Sequence, residues 1–301
     1  MNRKMISQLC INYFSENPKS IERCAVGHGN YVYIVTYAGD KYVIRCSLER
    51  NAYENTIHWL EQLTSIDIPV PKVIGNGEFE EYEYLILSYI EGEDLGIVYP
   101  QLKADDKKAI AKEIVYIQNK VAALGIEKYI EPQWTWCRSF VQDMLERASQ
   151  RIVKNGYFEV ERVERLWGQV AQLEEYFANV KPVAYLDDIS SKNLMIHNGQ
   201  ISGIIDVDWI GIGDKLTYVA LTNMALLNSE YNTDYVQYIL EEMQVSDIEK
   251  KAVLFYTLVF CVDFMGERGM QFMDKRVEVN EQIIDRLNII YDRLWDEWKK
   301  G

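Results

Sequence analysis

At 301 residues, with 48% hydrophobic and 26% charged side chains, the chain is long enough for two structural units and apolar enough to bury a core, which excludes a disordered segment. Acidic residues outnumber basic ones by 46 to 32, and a formal charge of -14 repels phosphate backbones, which excludes nucleic acid as an expected partner and favours a cationic small molecule. Five scattered cysteines, Cys10, Cys24, Cys46, Cys137 and Cys261, form no C-x-x-C pair, which argues against a disulfide framework or zinc site and for thiols in a reducing cytoplasm.

The first residues carry polar side chains every few positions and lack the apolar core of a signal peptide. The longest apolar run, 252–262, is shorter than a membrane span needs and reads as a buried helix. A cytoplasmic protein with no membrane partner is expected.

Residues 5–14 have apolar side chains at helical spacing, stopped by Asn17-Pro18. From residue 21 the period changes. Tyr31-Val32-Tyr33-Ile34-Val35 and Tyr42-Val43-Ile44 are β-rich runs separated by the turn signal Ala38-Gly39-Asp40, so 27–46 reads as a hairpin. It is preceded by Val26-Gly27-His28-Gly29-Asn30, where Gly27 and Gly29 would let backbone amides approach phosphate oxygens. His28 reads as an exposed loop residue.

A helix is predicted over 49–63, with Ala52, Ile57, Leu60 and Leu63 on its inward side. After Ile68-Pro69-Val70-Pro71, the Asn76-Gly77 turn leads into the strand Tyr84-Leu85-Ile86-Leu87-Ser88-Tyr89-Ile90. Residues 104–124 form an amphipathic helix with Ile110, Ile114, Ile117 and Val121 as its inner stripe. An aromatic loop containing Pro132 spans 129–136, and two further helices are predicted over 139–154 and 160–180.

Residues 183–214 carry the chemistry. Leu194-Met195-Ile196 and the apolar run 201–205 flank His197-Asn198-Gly199-Gln200, and an Asn-Gly step between such runs predicts a β-hairpin. Asp188 and Asn193 enter its first strand and Asp206 ends its second, so folding the hairpin brings three oxygen-bearing side chains to one edge. A carboxylate and a carboxamide suit Mg²⁺, which takes one or two protein ligands and completes its shell with substrate phosphates. The remaining aspartate is then available as a base. Asp187, a second carboxylate beside Asp188, would disfavour ionisation of both if the two faced each other.

After Asp214 the sequence turns helical, with helices predicted over 217–229, 232–243, 246–268 and 278–299. Asp263 and Glu267, at i and i+4, share a helix face. They could bind ammonium groups of a substrate or form a salt bridge to Lys or Arg. Trp295 and Trp298 read as packing residues.

D-x-x-x-x-N, a short hairpin and an aspartate closing an apolar strand resemble the catalytic region of kinase-fold phosphotransferases, and more closely the aminoglycoside phosphotransferase and choline kinase branch, whose pattern is H-G-D-x-x-x-x-N, I-D-(W/F) and G-D-P. The pieces stand here as Leu186-Asp187-Asp188 through Asn193, Ile205-Asp206-Val207 and Gly213-Asp214-Lys215. Leu186, Asp187, Val207 and Lys215 depart from the pattern, and Tyr218 stands where the family often has an aspartate. Ile68-Pro69-Val70-Pro71-Lys72-Val73-Ile74 and the apolar-Tyr strand after the glycine loop also look like this family.

The resemblance implies an α+β, bilobal, protein-kinase-like fold: a small β-rich nucleotide-binding lobe over 1–88, a hinge over 89–95 and a larger helical lobe over 96–301, with nucleotide in the crevice. It implies an ATP- or GTP-dependent kinase acting on a small-molecule hydroxyl, with Asp188 as the base and Asn193 and Asp206 on Mg²⁺. Arg45 stands where kinases carry the lysine that holds the nucleotide phosphates, Glu54 is its expected carboxylate partner, and Leu87 guards the pocket while Ser88 C=O and Ile90 N–H meet adenine. Asp214 is implied as a brace for the catalytic loop. The acceptor implied by family and charge is an aminoglycoside antibiotic, which would make the protein a resistance enzyme, with choline, sugars and macrolides as alternatives. Leu186, Asp187 and Arg45 also allow a nucleotide-binding pseudokinase. A protein kinase is disfavoured, because no A-P-E signature follows Asp206.

Overall fold

The structure is a computed structural model that describes all residues except 25–30, 38, 132, 273–274 and 301, and omits the side chains of 127, 272 and 275. The chain divides into two compact units. The first comprises Met1–Gly92, Ser202–Trp209 and Phe272–Lys275, and the second Glu93–Ile201, Ile210–Gln271 and Arg276–Gly301.

In the first unit, helix α1 (Arg3–Phe14) starts at Asn2, whose side chain accepts the Met5 N–H at 3.0 Å, and ends at Ser15 in a left-handed conformation. Strands β1 (Ser20–Arg23), β2 (Tyr31–Tyr37) and β3 (Asp40–Ser47) precede helix α2 (Glu54–Ser65), and β4 (Val73–Phe79) and β5 (Tyr82–Ser88) follow it. They form one antiparallel sheet in the order β1-β2-β3-β5-β4. Strand β2 buries alternate residues, Tyr33, Val35 and Tyr37, and these pack with Ile44, Cys46, Tyr82 and Ile86 of the sheet and Ile6, Leu9 and Cys10 of α1. Full burial of a large apolar side chain of this kind is worth about 1.5–3 kcal/mol.

Of the hairpin predicted over 27–46, the described residues form β2 and β3. The helix expected from residue 49 instead begins at Glu54. Asn51 takes a left-handed φ of 59°, and the carboxylate of Glu83 accepts the N–H groups of Asn51 (2.6 Å) and Ala52 (3.0 Å), so these residues turn before the helix can start.

The second unit begins with β6 (Glu93–Asp94), a single turn α3 (Leu95–Val98) and helix α4 (Ala104–Ala122). A π-helical turn, Cys137–Gln142, leads into α5 (Asp143–Asn155), followed by α6 (Glu161–Trp167) and α7 (Glu174–Asn179). The single helix expected over 160–180 is therefore broken: α6 ends at Gly168, and a 3₁₀ turn at Val170–Leu173 separates it from α7. Strands β7 (Val183–Tyr185), β8 (Leu194–His197), β9 (Gln200–Ile204) and β10 (Gly211–Gly213) come next, then α8 (Leu216–Asn228), α9 (Asp234–Met243), α10 (Asp247–Glu267), the short strands β11 (Gln271–Phe272) and β12 (Lys275–Arg276), and α11 (Glu281–Trp298).

Helix α10 is apolar almost all round and is buried against α5, α8 and α11. Its start is set by Ser246, whose N–H and hydroxyl both donate to Glu249 at 2.7 Å. Helix α4 packs on α9. There the buried Lys107 donates to Asp234 at 3.0 Å and Asn232 at 2.9 Å over the ring of Tyr99, so its charge is fully compensated. No described helix is long and apolar enough to cross a membrane.

The Asn198-Gly199 turn joins β8 to β9 with both residues at positive φ, 51° and 76°, the backbone of a tight type I′ hairpin. The order β6-β8-β9 makes a three-stranded sheet. The segment Ser202–Trp209 belongs to the first unit, where Ile204 N–H donates to Pro69 C=O at 2.8 Å and Ser202 Oγ donates to Glu91 C=O. A side chain at Gly203 would meet Ile90 Cγ2 at 2.8 Å and the Pro69 oxygen at 3.0 Å, so only glycine permits this approach. A division drawn at residue 88 leaves this segment out.

Candidate active site

The loop between β7 and β8 is held at both ends. Gln118 of α4, 1% exposed, accepts the Leu186 N–H at 2.9 Å and donates to the Leu186 C=O at 2.8 Å. Leu186 itself is buried. At the other end Asp94 accepts the Asn193 N–H at 2.8 Å, and the Gly96 N–H donates to Ser191 C=O at 2.7 Å. Between these anchors Asn193 donates its side-chain amide to the Asp188 carbonyl at 2.9 Å and to the Asp188 carboxylate at 3.1 Å. Both amide hydrogens are directed at Asp188, so the amide oxygen takes no part in that pair.

Asp188 is exposed, whereas Asp187 is half-buried. Burial, with the charge of Asp188 adding to it, pushes the Asp187 carboxyl up to about 6, against the lowering effect of the Asp187 and Asp188 backbone N–H groups. The Asp188 N–H donates to Asp187 Oδ1 at 3.0 Å.

Asp214 is clamped by two tyrosine hydroxyls, Tyr176 at 2.6 Å and Tyr256 at 2.9 Å, and accepts the Leu216 N–H at the start of α8. Burial still leaves its carboxyl raised. Tyr256 in turn accepts the Trp136 indole N–H at 2.7 Å. Gly213, at φ 150°, lies under the Trp136 ring, where any Cβ would fall inside the ring. Tyr218 is buried, with its hydroxyl directed at the sulfur of Met243. Asp214 is thus held by Tyr176 and Tyr256, which sequence reasoning did not single out.

In the first unit, Arg45 of β3 is 7% exposed and forms a two-pronged pair with Asp208: Nη1 donates to Oδ1 at 2.8 Å and Nη2 to Oδ2 at 2.7 Å. Asp206 lies 3.3 Å from the same Nη1. Thr56 of α2 donates its hydroxyl to Asp208 at 2.7 Å, the Asn55 amide donates to the Asp208 carbonyl, and the Tyr53 ring lies under the guanidinium. Burial alone would raise the Asp208 carboxyl, but the hydrogen bonds and charge of Arg45, with the Thr56 hydroxyl, outweigh it and hold the group below the ordinary carboxylate range.

Glu54 is a correction. It is exposed at the first position of α2, with Tyr53 and Thr56 facing inward in its place, because the helix starts later than its sequence suggests. Arg45 takes its counter-charge from Asp208. The repeat Asp206-x-Asp208 was the signal that could have found this residue.

Of the two readings of Asp263 and Glu267, a salt bridge is present: Arg151 of α5 donates to Asp263 at 2.9 Å and lies 3.9 Å from Glu267.

Ser88 pairs with Tyr42 at the end of β5 and takes part in two bonds with Lys72, donating its N–H to the Lys72 C=O at 2.9 Å and accepting the Lys72 N–H on Oγ at 2.8 Å. Leu87 is buried, and Ile90 is half-buried beside Gly203. Gly27, His28 and Gly29 lie outside the described residues.

Asn193 and Asp206 are non-glycine residues at positive φ, 65° and 59°. Left-handed backbone of this kind is tolerated best by Asn and Asp and clusters at working sites. Among the described residues no group of three or more His, Cys, Asp or Glu is placed to hold a metal by itself. The carboxylate of Asp206, in the first unit, and the amide oxygen of Asn193, in the second, are each of the donor type that Mg²⁺ takes together with phosphate oxygens. The buried Nε of Arg45 has no hydrogen-bond partner among the described residues, a donor that fits an anionic oxygen.

A family model described as "Phosphotransferase enzyme family" matches residues 20–221. The chain is similar to the "Uncharacterized protein in ileS 3'region" of Staphylococcus aureus, 30% identical over 88 residues, a match spanning 29% of this chain and 65% of that relative's length. Among solved structures, a thermostable mutant of aminoglycoside phosphotransferase APH(4)-Ia superposes with a TM-score of 0.68 at 17% identity, covering 98% of this chain and 99% of that one. ADP-bound aminoglycoside phosphotransferase APH(2'')-Ib gives 0.68 at 13% identity over 99% of both chains, and the streptomycin-ATP complex of APH(2")-IIa gives 0.64 at 14% identity over 98% of this chain and 96% of that one. At these identities the likeness shows the fold, a mixed α and β, protein-kinase-like one.

Proposed function

Because the chain belongs to the phosphotransferase enzyme family, we propose that it transfers the γ-phosphoryl group of ATP or GTP to a hydroxyl of an amino-bearing small molecule, with an aminoglycoside as the first acceptor to test. The observation that carries this reading is the pairing of Asn193 with Asp188 in a loop pinned by Gln118 and Asp94. That arrangement holds an exposed carboxylate at a fixed place, which a general base requires.

In this reading Asp188 accepts the acceptor hydroxyl's proton as its oxygen attacks phosphorus, and the nucleoside diphosphate leaves. Asn193 contributes its amide oxygen, and Asp206 its carboxylate, to hold Mg²⁺. When bound, the cation supplies charge neutralisation for the transferring phosphoryl group. Arg45 orients the nucleotide phosphates, while Ser88 C=O and Ile90 N–H meet its base. The net charge of -14 favours encounter with a polycationic acceptor. The solved relatives include complexes with hygromycin B, streptomycin and gentamicin, which supports starting the acceptor panel there.

The test is release of ADP or GDP by the purified chain, with and without Mg²⁺, against aminoglycosides, macrolides, choline and sugars. Acceptor-dependent release that chelation abolishes is the expected result. Tight Mg²⁺-nucleotide binding with no turnover on any acceptor would point instead to a nucleotide-binding protein without transferase activity.

A further inference from the structure

The guanidinium of Arg45 is nine-tenths buried, so its position depends on what shares its charge. The start of α2 offers no acid for this: Glu54 is exposed, and beside Arg45 stand the ring of Tyr53, just before the helix, and Thr56, whose hydroxyl meets Asp208. The carboxylate comes instead from the segment after β9. Asp208 meets both terminal nitrogens of Arg45 and is fixed in turn by the Thr56 hydroxyl on its carboxylate and the Asn55 amide on its carbonyl. These contacts tie three stretches of one unit together, β3, α2 and the segment 202–209.

We infer that Asp208 is the positioning residue for Arg45, doing from the end of the catalytic hairpin what a helix glutamate would otherwise do, with Thr56 as its second support. Two features of the geometry carry this beyond an ordinary ion pair. The pairing is end-on, through Nη1 and Nη2, so the Nε edge of the same planar group is left without a partner among the described residues. Asp206 stands two residues from Asp208 and 3.3 Å from Nη1, so the residue that fixes Arg45 also fixes the spacing between Arg45 and the proposed metal-binding carboxylate. Lysine cannot substitute here, since a single ammonium cannot meet both oxygens of Asp208 in one plane.

The inference rests on the proposed nucleotide-dependent activity, and two readouts separate the two claims. The first needs no nucleotide: urea melts of Arg45→Met, Asp208→Asn and the double variant, beside the same cycle with Glu54→Gln. Arg45 and Asp208 should be coupled by about tenfold in the unfolding constant and Arg45 and Glu54 by less than about twofold. The second is steady-state kinetics. Asp208→Asn should raise the nucleotide KM about tenfold while changing kcat at saturating nucleotide less than about threefold, and Asp208→Glu should recover most of the loss. If Asp208→Asn does not fold, Thr56→Val removes one support without touching a charge and should raise the nucleotide KM about threefold. Uncoupled melts, or a nucleotide KM within twofold of the parent in the Asp208 and Thr56 variants, would overturn the assignment. A parent chain that binds no nucleotide overturns the proposed activity instead, and the melts alone then decide whether Asp208 fixes Arg45.

Discussion

Gln118 satisfies both backbone groups of Leu186 at once, accepting its N–H at 2.9 Å and donating to its C=O at 2.8 Å, at a site from which water is excluded. The entrance to the Asp188 loop is therefore set by a side chain of α4. Gln118→Leu keeps the volume but strands two buried polar groups, and it should destabilise the protein by about 2–4 kcal/mol. Chemical denaturation of the variant checks this, and a loss under about 0.5 kcal/mol would mean that the loop is held elsewhere.

Asp187 makes stability depend on pH. Its carboxyl is pushed up to about 6 in the folded protein, chiefly by burial, whereas the unfolded chain releases that proton near pH 4. Between those values the folded state binds more protons, so this group lowers stability as pH rises through the window. Asp187→Asn should therefore stabilise the protein by about 1–3 kcal/mol at pH 7 and by almost nothing near pH 3.5. Melting curves at the two pH values decide it, since a gain equal at both would assign the effect to something other than ionisation.

The clamp on Asp214 should be cooperative. Tyr256→Phe removes a donor to Asp214 and the acceptor of the Trp136 indole together. It should cost about 2–4 kcal/mol, and Tyr176→Phe, which removes one bond, about 1–2 kcal/mol. Equal losses in denaturation would show that the Trp136 bond adds nothing.

Arg151 and the pair Asp263 and Glu267 should behave as a structural unit. Arg151→Met leaves half-buried carboxylates without their nearest cation and should destabilise by about 2–4 kcal/mol. Asp263→Asn should leave the acceptor KM unchanged within twofold, and a large rise would restore these carboxylates to the substrate site.

Much of this was legible from short patterns. The Asn198-Gly199 step announced its hairpin because only a few residue pairs accept two positive φ angles, and the inner stripe of α4 announced a buried face. Glu54 was misread because the start of α2 is set by Glu83, a residue far along the chain that caps the preceding turn, and no local spacing encodes that. Asp208 was passed over because an aspartate between Val207 and Trp209 reads as solvated until Arg45 is seen against it. Gln118 lies on the buried stripe of α4, and a glutamine there was the available signal that a backbone needed pairing.

The most direct test of the central claim compares the parent chain with Asp188→Ala for Mg²⁺-dependent nucleotide cleavage in the presence of an acceptor. Asp188 should supply the base without holding the nucleotide, so the variant should lose about 10²–10⁴ in kcat while its nucleotide affinity stays within about twofold. Undiminished turnover in Asp188→Ala would contradict the account.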